Sequence, residues 1–172
     1  LVGSEMCIRD SSRVALVGYT NAGKSTLFNA LSDSNVIAED KLFATLDPTV
    51  RRVEIPGTGD IAVSDTVGFI SHLPTLLIDS FRATLEEVVG ADLLLHVVDA
   101  SDVNWREKIQ QVNNVLGEIQ CDQIPQVLCF NKSDLLAEEE ITMLPQTALR
   151  VSSKTKSGID YLLEKWSKAL GV

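Results

Sequence analysis

Gly18-Tyr19-Thr20-Asn21-Ala22-Gly23-Lys24-Ser25 is the stretch on which the reading of this 172-residue chain turns. It satisfies G-x-x-x-x-G-K-[ST], the pattern of a loop that cradles phosphate. Before it, Arg13-Val14-Ala15-Leu16-Val17 is a short β-prone run of the buried type. After it, Leu27, Phe28 and Leu31 recur at helical spacing. Strand, glycine loop and helix is the order this chemistry needs. The glycines let backbone N–H groups turn toward phosphate oxygens, and the helix N-terminus adds its positive end. The whole of 18–25, with Thr26 next in the helix, is therefore expected around the phosphates. Lys24 reaches the β- and γ-phosphates, and the Ser25 hydroxyl is offered to Mg²⁺.

Outward from the loop, strand and helix patterns alternate. Ser32 to Val50 is polar and reads as a long loop, the kind that is usually functional inside a compact domain. Val50–Ile55 and Ile61–Ser64 read as a hairpin across Pro56-Gly57-Thr58-Gly59-Asp60. A helix is expected over Leu76–Val89, stopped at Gly90. Leu93–Asp99 is a continuous apolar strand of the buried parallel kind. Asn104–Ile119 reads as a helix with Ile109, Val112, Leu116 and Ile119 on one face. Then come a strand at Gln126–Phe130, a short helix around Ala137–Met143, a strand at Ala148–Val151 and a closing helix at Ile159–Leu170. The alternation predicts an α/β fold with a parallel sheet covered on both faces. Ligands of such sheets sit beyond the carboxyl ends of the strands. The loops at 18–25, 65–69, 131–134 and 152–154 all leave strands at that rim.

Three of those loops carry further motifs. Asp65-Thr66-Val67-Gly68 fits D-x-x-G, 40 positions after Ser25. A carboxylate at that strand end can hold Mg²⁺ through a water, and the Gly68 N–H can sense a γ-phosphate. Asn131-Lys132-Ser133-Asp134 fits N-K-x-D. The Asp134 carboxylate accepts from guanine N1–H and the 2-amino group. Adenine has neither donor and would leave the acid unpaired, at a cost of about 1–3 kcal/mol. Asn131 braces the P-loop and the base edge, and the Lys132 stem covers the base face. Ser152-Ser153-Lys154 offers a backbone N–H to guanine O6, with Ser153 where a small residue is wanted. Within Phe43-Ala44-Thr45-Leu46-Asp47-Pro48-Thr49, the residues from Phe43 to Asp47 are placed around the triphosphate. Thr45 is the candidate second Mg²⁺ hydroxyl, with Thr49 its competitor. The metal set is thus Ser25, Thr45 and Asp65.

Composition bounds the rest. The length suits one domain with a sizeable core, and 45% hydrophobic with 23% charged residues is ordinary for a soluble globular protein. A net charge of −9 argues against direct grip on nucleic acid, though not against a ribonucleoprotein reached through other parts of a longer protein. Cys7, Cys121 and Cys129 show no metal or redox spacing and read as reduced thiols of the cytoplasm. No apolar run approaches membrane-spanning length, and no secretory signal is visible. Residues 1–12 read as a foreign leader, which makes 13–172 the domain. His96 reads as a structural residue of a core strand, Trp105 and Trp166 as packing anchors, and Glu138-Glu139-Glu140 as a solvated helix start.

Taken together, the motifs resemble the G domain of the HflX family of ribosome-associated GTPases, in the translation-factor class. The likeness is carried by Gly18 through Asn29, Leu42 through Thr49, Asp65 through Ile70, Ser80-Phe81-Arg82-Ala83-Thr84-Leu85-Glu86-Glu87 and Leu94 through Asp99, and it covers about residues 13–170. It implies a Ras-like P-loop NTPase fold with six strands, mostly parallel, and helices on both faces. It also implies Mg²⁺-dependent hydrolysis of GTP to GDP and binding to the large ribosomal subunit. The family's amino-terminal domain and helical linker are not in this sequence, so the resemblance implies nucleotide binding here but not ribosome engagement by this stretch alone. One departure bears on mechanism: Phe69 stands where Ras-like proteins place a water-orienting Gln. Phe has no hydrogen-bonding group, so slow intrinsic hydrolysis is expected. Related GTPases hold K⁺ with an Asn at the position of Asn21, and such a cation could neutralise developing charge. The residues expected to act on the reacting phosphate are therefore Lys24, Asn21, Thr45 and Gly68. Two alternatives stay open: a nucleotide-gated binding module that barely hydrolyses without a partner, and an ATP-using P-loop enzyme, against which N-K-x-D argues.

Overall fold

The computed structural model of the chain describes residues 11–32, 49–55, 59–66, 68 and 85–171, with Thr49 described for its backbone alone. Among them lie six strands: β1 (Arg13–Val17), β2 (Thr49–Ile55), β3 (Gly59–Asp65), β4 (Leu93–Asp99), β5 (Gln126–Asn131) and β6 (Leu149–Arg150). The helices are α1 (Lys24–Ser32), α2 (residues 85–89), α3 (Trp105–Glu118), α4 (Glu138–Thr142) and α5 (Ile159–Leu170). A 3₁₀ turn covers Ser133–Leu135.

The strands form one sheet in the order β2-β3-β1-β4-β5-β6. Only β2 runs antiparallel, paired to β3; the pairs β1–β3, β1–β4, β4–β5 and β5–β6 are parallel. The mostly parallel six-stranded sheet expected from the sequence is the one observed. Its register sorts side chains cleanly. Val14, Leu16, Leu93, Leu95, Val97 and Cys129 face one way and pack on Leu27, Phe28 and Leu31 of α1 and on Leu162 and Trp166 of α5. Ala15, Val17 and Leu94 face the other way, onto Val88 of α2 and Val112 and Leu116 of α3. Further along that second face, Val98 and Phe130 meet Leu144 and the half-buried Trp105, whose ring stands edge-on to Phe130 at 5.0 Å between centroids. Covered on both sides, β4 has six successive buried residues, which is why its sequence lacks alternation.

The boundaries shift in instructive places. β3 begins at Gly59, so Gly59 and Asp60, expected in the turn, pair with Ile55 and Glu54. β6 holds two residues where four were expected. The Val151 carbonyl is taken by the Ser133 N–H at 3.1 Å, so the chain there serves the motif on the neighbouring strand end. Of the helix expected over 76–89, residues 85–89 are described and helical, and the Gly90 N–H closes the last turn on Glu86 at 3.0 Å. The β1–β3 register begins at Arg13 opposite Ala62, whose N–H donates to the Ser12 carbonyl at 2.9 Å. No helix among the described residues is long and apolar enough to cross a membrane.

Candidate functional site

Parallel strands end at one rim, and the chain after each end turns inward there. Lys24 opens α1 and is buried. Its ammonium donates to the carbonyls of Gly18 and Tyr19, both at 3.4 Å. Burial lowers its pKa to about 8, partly opposed by attraction to Asp65. Ser25, the next residue, donates its hydroxyl to Asp65 Oδ2 at 2.7 Å. The strand-end carboxylate and the loop hydroxyl are thus adjacent, 40 residues apart in the chain. Thr66 is buried and donates to the Leu16 carbonyl, which ties the end of β3 to β1. Gly68 is pressed against the loop: a Cβ there would lie 2.8 Å from Thr20 Cα and 3.1 Å from Lys24 Nζ. Within the loop itself Thr20 and Ala22 are buried, Tyr19 is partly buried, and Asn21 is exposed with φ 65°. Thr26 points out of α1.

Gly23 shows why that position wants glycine. Its φ is 88°, and a Cβ would fall 2.4 Å from Asn131 Nδ2. The missing side chain makes room for the Asn131 amide, which donates to the carbonyls of Ala22 (3.2 Å) and Gly23 (3.4 Å). The other end of the same amide accepts from Ser153 N–H (3.1 Å) and Ser153 Oγ (2.8 Å). Asn131 is the last residue of β5 and 1% exposed, so one side chain joins the P-loop to the Ser152-Ser153-Lys154 turn. Lys132 adopts φ 62°, and its ammonium reaches the Asn21 carbonyl at 3.2 Å and Asp99 Oδ2 at 2.8 Å. Asp134 lies in the 3₁₀ turn beside Ser133, exposed, with Oδ1 accepting from Ser152 Oγ at 2.6 Å. Lys154 is exposed at the outer edge.

The rim therefore gathers Gly18 to Ser25, Asp65, Thr66, Gly68, Asn131 to Asp134 and Ser152 to Lys154. Phe43, Ala44, Thr45, Leu46, Asp47, Val67 and Phe69 lie outside the described residues. Thr49 opens β2 opposite Asp65 in the register, and its side chain is likewise outside the description. Hard oxygen donors, one hydroxyl and one carboxylate, suit Mg²⁺, an ion that keeps waters and takes substrate phosphates as ligands. Among the described residues no cluster of three His, Cys, Asp or Glu side chains offers an all-protein cage for a metal.

A model of the family described as "50S ribosome-binding GTPase" matches residues 13–132, a span that holds G-x-x-x-x-G-K-[ST] and D-x-x-G and ends inside N-K-x-D. The chain belongs to that family. Among curated proteins, the chain is 50% identical over 161 residues to GTPase HflX of Magnetococcus marinus, covering 92% of this chain and 37% of that one. Its match to GTPase HflX of Escherichia coli is 54% identical over 131 residues, or 76% of this chain and 31% of that one. These identities bear out the HflX likeness read from the motifs, and the chain spans about a third of the relatives' length. Among solved structures, Era in complex with MgGDPNP and nucleotides 1506–1542 of 16S ribosomal RNA aligns with TM-score 0.80 at 23% identity, over 92% of this chain and 56% of that one. A single-residue variant of Aquifex aeolicus Era bound to GDP·AlF₄⁻ aligns with TM-score 0.76 at 22% identity, over 92% and 56%. At these identities the likeness concerns the fold.

Two features of this family member escaped the motifs. Asp99, at the tip of β4, grips Lys132; the signal available was an acid closing a strand of apolar residues at the ligand rim. The Ser152 hydroxyl holds Asp134, and no local pattern announces that. His96 is 2% exposed on β4, as its core reading requires. Burial chiefly, with the nearby Lys24 charge, lowers its pKa to about 4, opposed by a hydrogen bond to the Gln126 side chain that favours the protonated ring. Cys121 and Cys129 are free, buried thiols, and burial pushes both pKa values up.

Proposed function

We propose that this domain binds guanine nucleotide with Mg²⁺ and hydrolyses GTP to GDP and phosphate. The observation that carries the reading is the Asn131 amide, which joins a phosphate loop to a purine-reading turn with hydrogen bonds at both ends. Around that tie, Gly18 to Thr26 surround the phosphates, and the Lys24 ammonium bears on the β- and γ-phosphates. Asp134 accepts from the guanine N1–H and 2-amino group. For this it turns toward the base while the Ser152 hydroxyl keeps one oxygen oriented. The Ser153 and Lys154 backbone serves guanine O6. Ser25 and Asp65, with Thr45, hold Mg²⁺, which supplies neutralisation of phosphate charge when bound. Gly68 offers its N–H to the γ-phosphate, and the residues from Phe43 to Asp47 close around the triphosphate. Phe69 makes intrinsic turnover slow. Asn21, exposed on the loop, holds a K⁺ that offsets developing charge.

The family description names the 50S ribosome, and the partner inferred is the large ribosomal subunit, engaged with segments beyond this chain, in the cytoplasm. The reading as a switch without hydrolysis is the less supported one; single-turnover rates with and without ribosomes separate the two. Calorimetry with GTP, GDP and ATP in Mg²⁺ tests the nucleotide assignment, and preference for ATP would defeat it. Asp134→Asn should weaken GTP and admit xanthosine nucleotides, and unchanged GTP affinity would refute its role. Turnover should be faster in KCl than in NaCl, with the difference lost in Asn21→Ala.

A further inference from the structure

The turn after β4 belongs to none of the motifs, yet it touches two of them. Asp99 closes the strand with its carboxylate fixed at both oxygens. Oδ1 accepts from the Ser101 N–H at 2.9 Å and from Ser101 Oγ at 2.6 Å. Oδ2 receives the Lys132 ammonium at 2.8 Å, with the Lys132 and Asp99 side chains 28% and 19% exposed. That ammonium also donates to the Asn21 carbonyl at 3.2 Å. Lys132 stands on a left-handed backbone (φ 62°), so its stem rises from an unusual angle. A long, rotamer-rich side chain does not hold one place over a loop unless both its charge and its stem are constrained. Here the stem leaves the purine-reading turn, and the charge is pinned between a carboxylate on β4 and a carbonyl of the phosphate loop.

We propose that Asp99 is a positioning residue for guanine-nucleotide binding: it holds the Lys132 ammonium on the Asn21 carbonyl and so fixes the purine-reading turn to the phosphate loop. The inference rests on the nucleotide reading given above. Sheet order makes the arrangement possible, because β4 lies between β1, which delivers the phosphate loop, and β5, which delivers Lys132. Without the carboxylate, Lys132 is free to leave the loop, and the base loses the cover its stem provides. The same turn holds a second pair, Asp102 with the Lys108 ammonium, which lies 4.8 Å from the centre of the Tyr19 ring. In that pair the Asp102 carboxylate takes the Lys108 ammonium and feels Lys132 only through weaker, longer-range attraction, so it gives an internal comparison.

The test is release of a fluorescent GDP from the 172-residue chain in Mg²⁺, followed by stopped flow. Asp99→Asn should speed release about fivefold, in the range for a partly buried, charge-assisted bond. Lys132→Met should speed it at least as much, and the double variant no more than Lys132→Met alone, since Asp99 acts through that lysine. Asp102→Asn, which alters the same turn, should stay within about twofold of the parent chain. Unchanged release from Asp99→Asn overturns the inference and leaves the nucleotide reading intact. So does an Asp99→Asn effect that persists in the Lys132→Met background, or an equal effect of Asp102→Asn. Failure of the parent chain to bind GDP at all overturns both.

Discussion

Asn131 spends each end of its amide on a different loop. Asn131→Ala would strand the buried Ser153 N–H and leave the Ala22 and Gly23 carbonyls to find other partners. A loss of about 2–3 kcal/mol in unfolding free energy is expected by urea titration, with GDP affinity falling as well. Lys24 gives a second prediction at this scale. With burial holding its pKa to about 8, the side chain is largely neutral above that pH in the nucleotide-free protein. Contact with a phosphate restores the ammonium, so GDP binding near pH 8.5 should take up a proton. Calorimetry in buffers of different ionisation enthalpy would show the uptake, and it should vanish near pH 6.5, where Lys24 is already charged. The motif residues were legible because each motif is contiguous and its spacing is its signature. Asp99 with Lys132, Ser152 with Asp134 and Asn131 with Ser153 were not read as pairs, because 33, 18 and 22 residues separate them and only strand register brings them together.

Among the elements, β4 had the plainest sequence, a run of apolar residues that only a two-sided burial explains. Its one polar interior residue carries a pH signature. The unfolded His96 titrates near 6.5 and the folded one near 4. Between those values the unfolded chain binds a proton the folded chain refuses, so stability is intact above pH 6.5 and falls as pH drops toward 4. His96→Leu should flatten that stretch of the stability–pH curve in urea melts, relative to the parent chain. Leu116 of α3, fully buried against the second face, should show the ordinary consequence of a cavity. Leu116→Ala is expected to lose about 2–5 kcal/mol by the same measurement. Shorter elements were harder to read. In β6 the apolar alternation continues to Val151, but a carbonyl needed by Ser133 ends the ladder early. Gly59 and Asp60 look like turn residues by composition, yet the hairpin register recruits them into β3.

For the whole molecule, the mostly parallel sheet and the pile-up of motifs at one rim were both visible beforehand, since the alternation of strands and helices leaves few topologies. Ligand linkage gives a measure at this scale. GDP at a hundred times its dissociation constant should raise unfolding free energy by about 2.7 kcal/mol, while ATP at the same concentration should leave the thermal midpoint near that of the free chain. The far border of the sheet has a different kind of consequence. At β6 it is two residues long and ends in an exposed arginine. A strand from another copy would find almost no ladder to extend and a charge standing in the way. Crowded preparations should thus resist fibril growth from this side, a protection that arises because the turn after β5 claimed the Val151 carbonyl which a longer strand would have used.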